Sequence, residues 1–317
     1  MEIDDEASDG NIVKGNWIGV GADGSTVLGT GGDGIFISGG ADNSVLGGAG
    51  ANEGNWIASP DLVGIEIDGE TTGTVIQGNR IGTDLAGTAN WGGQMDGILI
   101  ENSGAGGAPS SNLIADNVVA FSGQGGTWTR GIVLYNTAGG GNTLLRNSIY
   151  SNVGLGIDLG ATGVTGNDGG DGDTGPNNLQ NFPILTAATT NGSTMVNVSG
   201  TLNSNASSYF RIEFFASATA DTTTFGEGQI YLGYVNVATN GSGNATFGTT
   251  LSAAVPVGYV ITATATKSDA SYSTFTDTSE FSMRFTTTAI APGVLVVDTA
   301  SDTSDGDTTS ITSLLAN

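Results

Sequence analysis

The sequence predicts an all-β protein: a parallel β-helix of about five coils, then an antiparallel immunoglobulin-like β-sandwich, then an extended C-terminal strand. Three observations predict it. Three short signatures recur in fixed order across residues 11–160, and a period of roughly 20–50 residues marks a stacked array. After Phe182 the pattern changes to alternating apolar and polar runs separated by Asn/Gly turn clusters. The composition is turn-rich, with 54 glycines and neither cysteine nor histidine among 317 residues.

The first signature is Gly-Ile-x-Ile, at Gly34–Ile37, Gly64–Ile67 and Gly97–Ile100, with variants at Gly131–Leu134 and Gly156–Leu159. Side chains alternate across a strand, so the two Ile residues share an inner face. The x position (Phe36, Glu66, Leu99, Val133, Asp158) tolerates charge and is assigned outward. The second signature is an apolar pair after Asn or Thr: Val45–Leu46, Val75–Ile76, Leu113–Ile114 and Leu144–Leu145. The third is Asn-x-Ile, led by Asn16, Asn55, Asn79, Asn117 and Asn147. Stacked Asn side chains can hydrogen-bond from coil to coil. Three short strands per turn, stacked at roughly 4.8 Å, give a β-helix about 25 Å long. The unit at residues 11–18 holds the second and third signatures only, so the array opens on a bare coil, whereas stacked arrays are normally capped.

The stretch Thr74-Val-Ile-Gln-Gly-Asn-Arg-Ile-Gly-Thr-Asp84 and the stretch Asn177-Asn-Leu-Gln-Asn-Phe-Pro183 resemble the right-handed parallel β-helix repeats of very large bacterial surface proteins and the segment that closes them. The resemblance covers nearly the whole chain. It implies a right-handed helix, a modular and largely non-enzymatic architecture, and a bacterial cell-surface or extracellular location.

From Phe182 to about Phe285, runs such as Met195–Leu202, Phe210–Ala216, Gln229–Val237 and Tyr259–Thr266 read as sandwich strands. Thr286–Pro292 reads as a linker, and Val294-Leu-Val-Val as a tail strand. In the family resembled, such a stretch opens the next β-helix module. The chain therefore divides into a β-helix (1–166), an Asp/Gly-rich connector (167–181), a sandwich (182–287), and a linker with tail strand (288–317).

With 31 acidic and 7 basic residues the net charge is −24, which disfavours a nucleic-acid partner because phosphate binding needs clustered Lys and Arg. No run is apolar enough to span a membrane, and the first residues do not form a signal peptide. The absence of histidine removes the Ser-His-Asp triad and the usual zinc sites. The connector offers Asp168, Asp171, Asp173 and Asn177 as oxygen ligands for Ca²⁺, against the plainer reading of a flexible acidic linker. Asp302, Asp305 and Asp307 form a second candidate. Trp17 and Trp56 occupy one outward position on neighbouring coils, where they can pack together or bind a sugar ring. Arg80, Arg130 and Arg146, with Glu66, Asp68, Asp96 and Glu101, are the groups a polysaccharide lyase or hydrolase would draw upon.

The expected function is a non-enzymatic, Ca²⁺-stabilised subunit of an extracellular fibre or surface layer. Its partners are copies of itself: the tail strand (Val294, Leu295, Val296, Val297) adds to the open first coil (Ile12, Val13, Trp17, Ile18) of the next copy. The alternatives are an adhesin or carbohydrate-binding segment with polysaccharide as partner, and a polysaccharide lyase.

Overall fold

A β-branched side chain packs well on a pleated surface, and the repeat supplies one wherever a strand turns inward. In the computed structural model, which describes residues 1–104, 106–123, 129–160 and 163–291, these positions stack into columns. Ile35, Ile65, Ile98, Ile132 and Ile157 lie in register, as do Ile37, Ile67, Ile100, Leu134 and Leu159. Leu46, Ile76, Ile114 and Leu144 form a second wall, and Ile57, Ile81, Val119 and Ile149 a third. All belong to one buried core.

The strands form three parallel sheets, one of six strands and two of five. The six-stranded sheet runs from Glu2–Ile3 to Ile157–Gly160, and the other two start at Ile12–Val13 and Trp17–Ile18. This is a parallel β-helix, as the repeat predicts. The signature glycine has a steric cause. A Cβ on Gly34, Gly64, Gly97 or Gly131 would meet the carbonyl oxygen of the glycine one coil on.

Asparagines tie each coil to the next, and their Nδ2 groups also reach back to carbonyls of the preceding coil at Val13, Leu46, Ile76 and Ile114. The backbone N–H and side-chain Nδ2 of Asn16 both donate to Asn55 Oδ1, at 3.0 Å each. Asn55 does the same to Asn79 (3.0 and 2.9 Å), Asn79 to Asn117 (2.9 and 3.0 Å), and Asn117 to Asn147 (3.1 and 3.0 Å). Thr74, Asn112 and Asn142 form a second ladder. Each rung satisfies donors that would otherwise be buried and unpaired.

The antiparallel region consists of two sheets facing a second core. One runs in the order Asn244–Leu251, Val196–Asn203, Ile184–Thr190, Thr288–Ala289; the other in the order Ile230–Ala238, Tyr209–Ser217, Val260–Ser268, Phe275–Thr278. Strand positions follow the expected runs to within a few residues. Residues 286–292, read as a linker, differ. Phe285–Thr286 pairs with Val260–Ser268, and Thr288–Ala289 pairs in parallel with Ile184–Thr190. That edge strand has free backbone groups on one side, and the Thr-rich segment fills it. The tail strand at residues 294–297 lies outside the described residues.

The antiparallel region also closes the last coil. Where a next coil would offer acceptors, the antiparallel region and the connector supply them. Asn177 Oδ1 accepts from Asn142 N at 2.9 Å and Glu227 Oε1 from Asn152 N at 3.0 Å. Glu280 Oε1 accepts from Leu159 N at 2.9 Å and Glu213 Oε2 from Arg146 N at 2.8 Å. Ile149 and Gly228 exchange two backbone hydrogen bonds of 2.9 Å.

Candidate functional site

The connector is anchored rather than loose. Asn181 receives Asp168 N on its Oδ1 (3.1 Å) and donates from Nδ2 to Asp168 O (2.9 Å); Asn203 Oδ1 accepts from Gly170 N (2.8 Å) and Asn205 Nδ2 donates to Asp171 O (3.0 Å). So held, Asp168, Asp171 and Asp173 each bring one carboxylate oxygen within 4.8 Å of the other two. Two oxygens that share a Ca²⁺ at about 2.3–2.6 Å each stand at most about 5 Å apart, so the spacing fits. Asp171 is buried and both its oxygens are engaged, by Asn181 N (2.8 Å) and Ser204 Oγ (2.7 Å). Asp173 Oδ1 is buried without a hydrogen-bond partner. Burial raises the Asp171 and Asp173 carboxyls above their ordinary value, and neighbouring carboxylates add to the rise. An oxygen-only donor set with one buried, unsatisfied oxygen suits a hard cation.

Asn177 does not belong to that group. It is fully buried, its Oδ1 accepts from Asn142 N, and its Nδ2 donates to Asn142 O (2.7 Å) and Thr278 O (3.1 Å). Its amide is an end rung of a ladder and not a ligand beside the aspartates. The second acidic cluster, Asp302, Asp305 and Asp307, lies outside the described residues.

At the first coil, Glu2–Ile3, Ile12–Val13 and Trp17–Ile18 are the outermost strands of their sheets. Ile12 is 69 % and Trp17 53 % exposed, whereas Val13 belongs to the helix core and Ile18 packs against it. The expected partner residues Val294, Leu295, Val296 and Val297 lie outside the described residues.

Trp17, Trp56, Arg80, Val118 and Ser148 lie in register along one outer column, as the third signature requires. The two tryptophans differ in role. Trp56 is 5 % exposed, stacks on Trp91 (centroids 4.8 Å apart, planes at 16°) and donates its indole N–H to Thr83 O at 2.6 Å. Trp17 meets its edge at 5.5 Å and 86°. Trp56 is packing; Trp17 keeps an open surface.

On the six-stranded sheet, Leu99 pairs with Glu66 and Glu101 with Asp68. Burial, together with the like charges of Asp33, Glu101 and Asp68, pushes the Glu66 carboxyl up to about 8. Asp96 is committed elsewhere: Arg130 reaches it from Nε (3.1 Å) and Nη2 (2.9 Å) and reaches Asp158 from Nη1 (3.1 Å), all three residues being buried. Arg146 pairs with Asp116 through Nε (2.7 Å) and Nη2 (2.8 Å).

Sequence reasoning missed Glu213, Glu227 and Glu280, because nothing near them repeats. It also passed over Asn112 and Asn142, although an Asn before the apolar pair was already part of the second signature.

No family model matches the chain, and no curated protein matches it. Among solved structures, the chain is similar to the enzymatically active domain of bacteriophage CBA120 tailspike protein 2. The two are 10 % identical with a TM-score of 0.22, over 79 % of this chain and 52 % of that one. The chain thus spans about half the length of that structure, and a likeness of this size carries no argument about fold or function. No helix among the described residues is long and apolar enough to cross a membrane.

Proposed function

We propose that this chain is a non-enzymatic structural module of a bacterial extracellular fibre or surface layer. In this reading it consists of a β-helix, a connector and an immunoglobulin-like sandwich. It joins the next copy at the first coil of its β-helix, with Ca²⁺ held by Asp168, Asp171 and Asp173 at the connector. The observation that carries the reading is the difference between the two ends of the helix. At one end, Asn177, Glu213, Glu227 and Glu280 occupy the backbone donors of the last coil. At the other, three outermost strands expose apolar Ile12 and Trp17 beside them. An unpaired strand edge is a template for another strand, and a contact that does not close on itself builds a filament. The apolar tail Val294-Leu-Val-Val supplies a strand of suitable character. Of the three arginines a lyase would draw upon, Arg130 and Arg146 are held by carboxylates, which leaves Arg80 alone.

The test is negative-stain microscopy and sedimentation of the full chain and of a chain ending at residue 291, each with Ca²⁺ or EDTA. Filaments are expected for the full chain in Ca²⁺ and none for the shortened chain. Equal filaments from both, or monomers from the full chain under every condition, would overturn the reading.

A further inference from the structure

Seven side chains carry positive charge against 31 negative, so a cation here has abundant partners, and six of the seven have taken one. Lys14 pairs with Glu53 at 3.3 Å. Arg130 and Arg146 are held as described above. Arg211 lies over the Tyr234 and Phe275 rings at 4.0 and 4.2 Å, Lys267 donates to Asn205 at 2.7 Å, and Arg284 donates to the Asp221 carbonyl. Among the described residues, the Arg80 guanidinium makes neither an ion pair nor a hydrogen bond.

Arg80 lines a groove of about 220 Å³ on the flank of the helix, across the first three coils. The floor is bare backbone at Gly15, Gly54 and Gly78. These glycines are explained by stacking, since a Cβ on Gly54 would meet the Gly78 carbonyl, and the groove is the consequence. One wall is Trp17, and the other is Leu85, 65 % exposed. Leu85 is carried on the loop closed by the Thr83–Asn90 bridge. Asn52 lies on the rim, and its amide, like the Trp17 indole N–H, makes no hydrogen bond with a described residue. Among the residues lining the groove there is no carboxylate.

We propose that this groove binds one ring of an acidic polysaccharide, a uronate, with its carboxylate on Arg80. Ligand sites combine apolar and aromatic walls with a few polar groups that fix orientation. Trp17 and Leu85 offer the apolar walls against which the C–H face of a sugar ring lies. A guanidinium presents two parallel N–H groups that match a carboxylate, and the Asn52 amide can both donate to and accept from a hydroxyl. The occupant is chosen on charge: a neutral sugar leaves the unpaired guanidinium without a counterion. The groove opens on the flank of the helix, but its Trp17 belongs to the outermost coil, which the proposed joining strand would border; binding is therefore read on Ca²⁺-free protein that sedimentation shows to be monomeric, where it does not require head-to-tail assembly.

The test is calorimetry and tryptophan fluorescence on the full chain, titrated with oligogalacturonate, with oligomannuronate, and with each after reduction of its carboxyls to alcohols. Saturable binding of at least one oligouronate is expected. Carboxyl reduction or Arg80→Ala should weaken it by about tenfold. Arg80→Lys, which keeps the charge and loses the fork, should fall between, and Trp17→Ala should weaken binding and abolish the fluorescence change. Since the Arg80 guanidinium carries no ion pair or hydrogen bond with a described residue, its variants should melt close to the wild type; Arg80→Gln serves if Arg80→Ala does not. Four outcomes would overturn the proposal: no saturable binding, equal binding of the reduced ligands, equal binding by the Arg80 variants, or a groove filled by a second copy, seen as self-association lost in Arg80→Ala.

Discussion

Asn117 and Arg130 show how much rests on single buried side chains. Asn117 Oδ1 is the acceptor for both the N–H and the Nδ2 of Asn79. Asn117→Ala strands the buried Asn79 N–H and takes one of three acceptors from Asn79 Nδ2, so a loss of about 1–3 kcal/mol is expected in urea denaturation. Arg130 stands between two buried carboxylates, Asp96 and Asp158. Removing the cation leaves both charges uncompensated, and Arg130→Ala should cost about 3–5 kcal/mol. Arg130→Met, which refills the volume, should do no better unless Asp96 and Asp158 are replaced with it. At the connector, Asp173→Asn should weaken Ca²⁺ binding, read by calorimetry. Because Asp171 and Asp173 are held above the ordinary carboxylate range, affinity should also fall as pH is lowered toward that range, protons competing for the same oxygens.

At the scale of elements, the join between the helix and the antiparallel region is a row of buried acids. Burial pushes Glu213 and Glu227 up to about 7 and Glu280 up to about 8, from an ordinary 4.5. A carboxyl whose folded pKa is raised stabilises the fold in its protonated form. That contribution is complete below about pH 4.5 and is lost as pH climbs through 7 to 8. The melting midpoint should therefore decline between about pH 5 and pH 8, and Glu280→Gln should shrink the decline. Unchanged pH dependence in that variant would locate the effect elsewhere, Glu66 being the next group with a carboxyl near 8. This join was not legible in the sequence. The helix was, because Gly34, Ile35 and Asn55 repeat wherever the stacking geometry repeats, and each residue type has one steric or hydrogen-bonding reason to be there. Glu227 and Glu280 each occur once, far along the chain from the rungs they finish, and a single Glu in an alternating strand carries no signal. Asn177 misled for the same reason: beside three aspartates it reads as a ligand, while its true neighbour, Asn142, is 35 residues away. Arg80 sits in a recognised motif, but only the structure shows that no carboxylate among the described residues pairs with it.

At the scale of the whole molecule, the three parallel sheets and their ladders make a rod with a direction. At every rung from Asn16 to Asn147 the backbone N–H and one Nδ2 proton reach the Asn one coil nearer the antiparallel region, while from Asn55 on the Nδ2 also donates back to a carbonyl of the preceding coil. If residue 1 and the sandwich are pulled apart, the load falls on the outermost rung alone, because a coil in the middle is clasped from both sides and cannot leave before its neighbour. The rod should then peel from one end like tape, giving up one coil at a time. The spacing of the rungs sets the slack released at each event: 39, then 24, then 38, then 30 residues. Optical-trap records should show that uneven sequence of extensions in that order, long, short, long, intermediate, with the sandwich yielding separately. A protein tethered in a flowing or tugged environment would thereby absorb strain in graded steps rather than fail all at once.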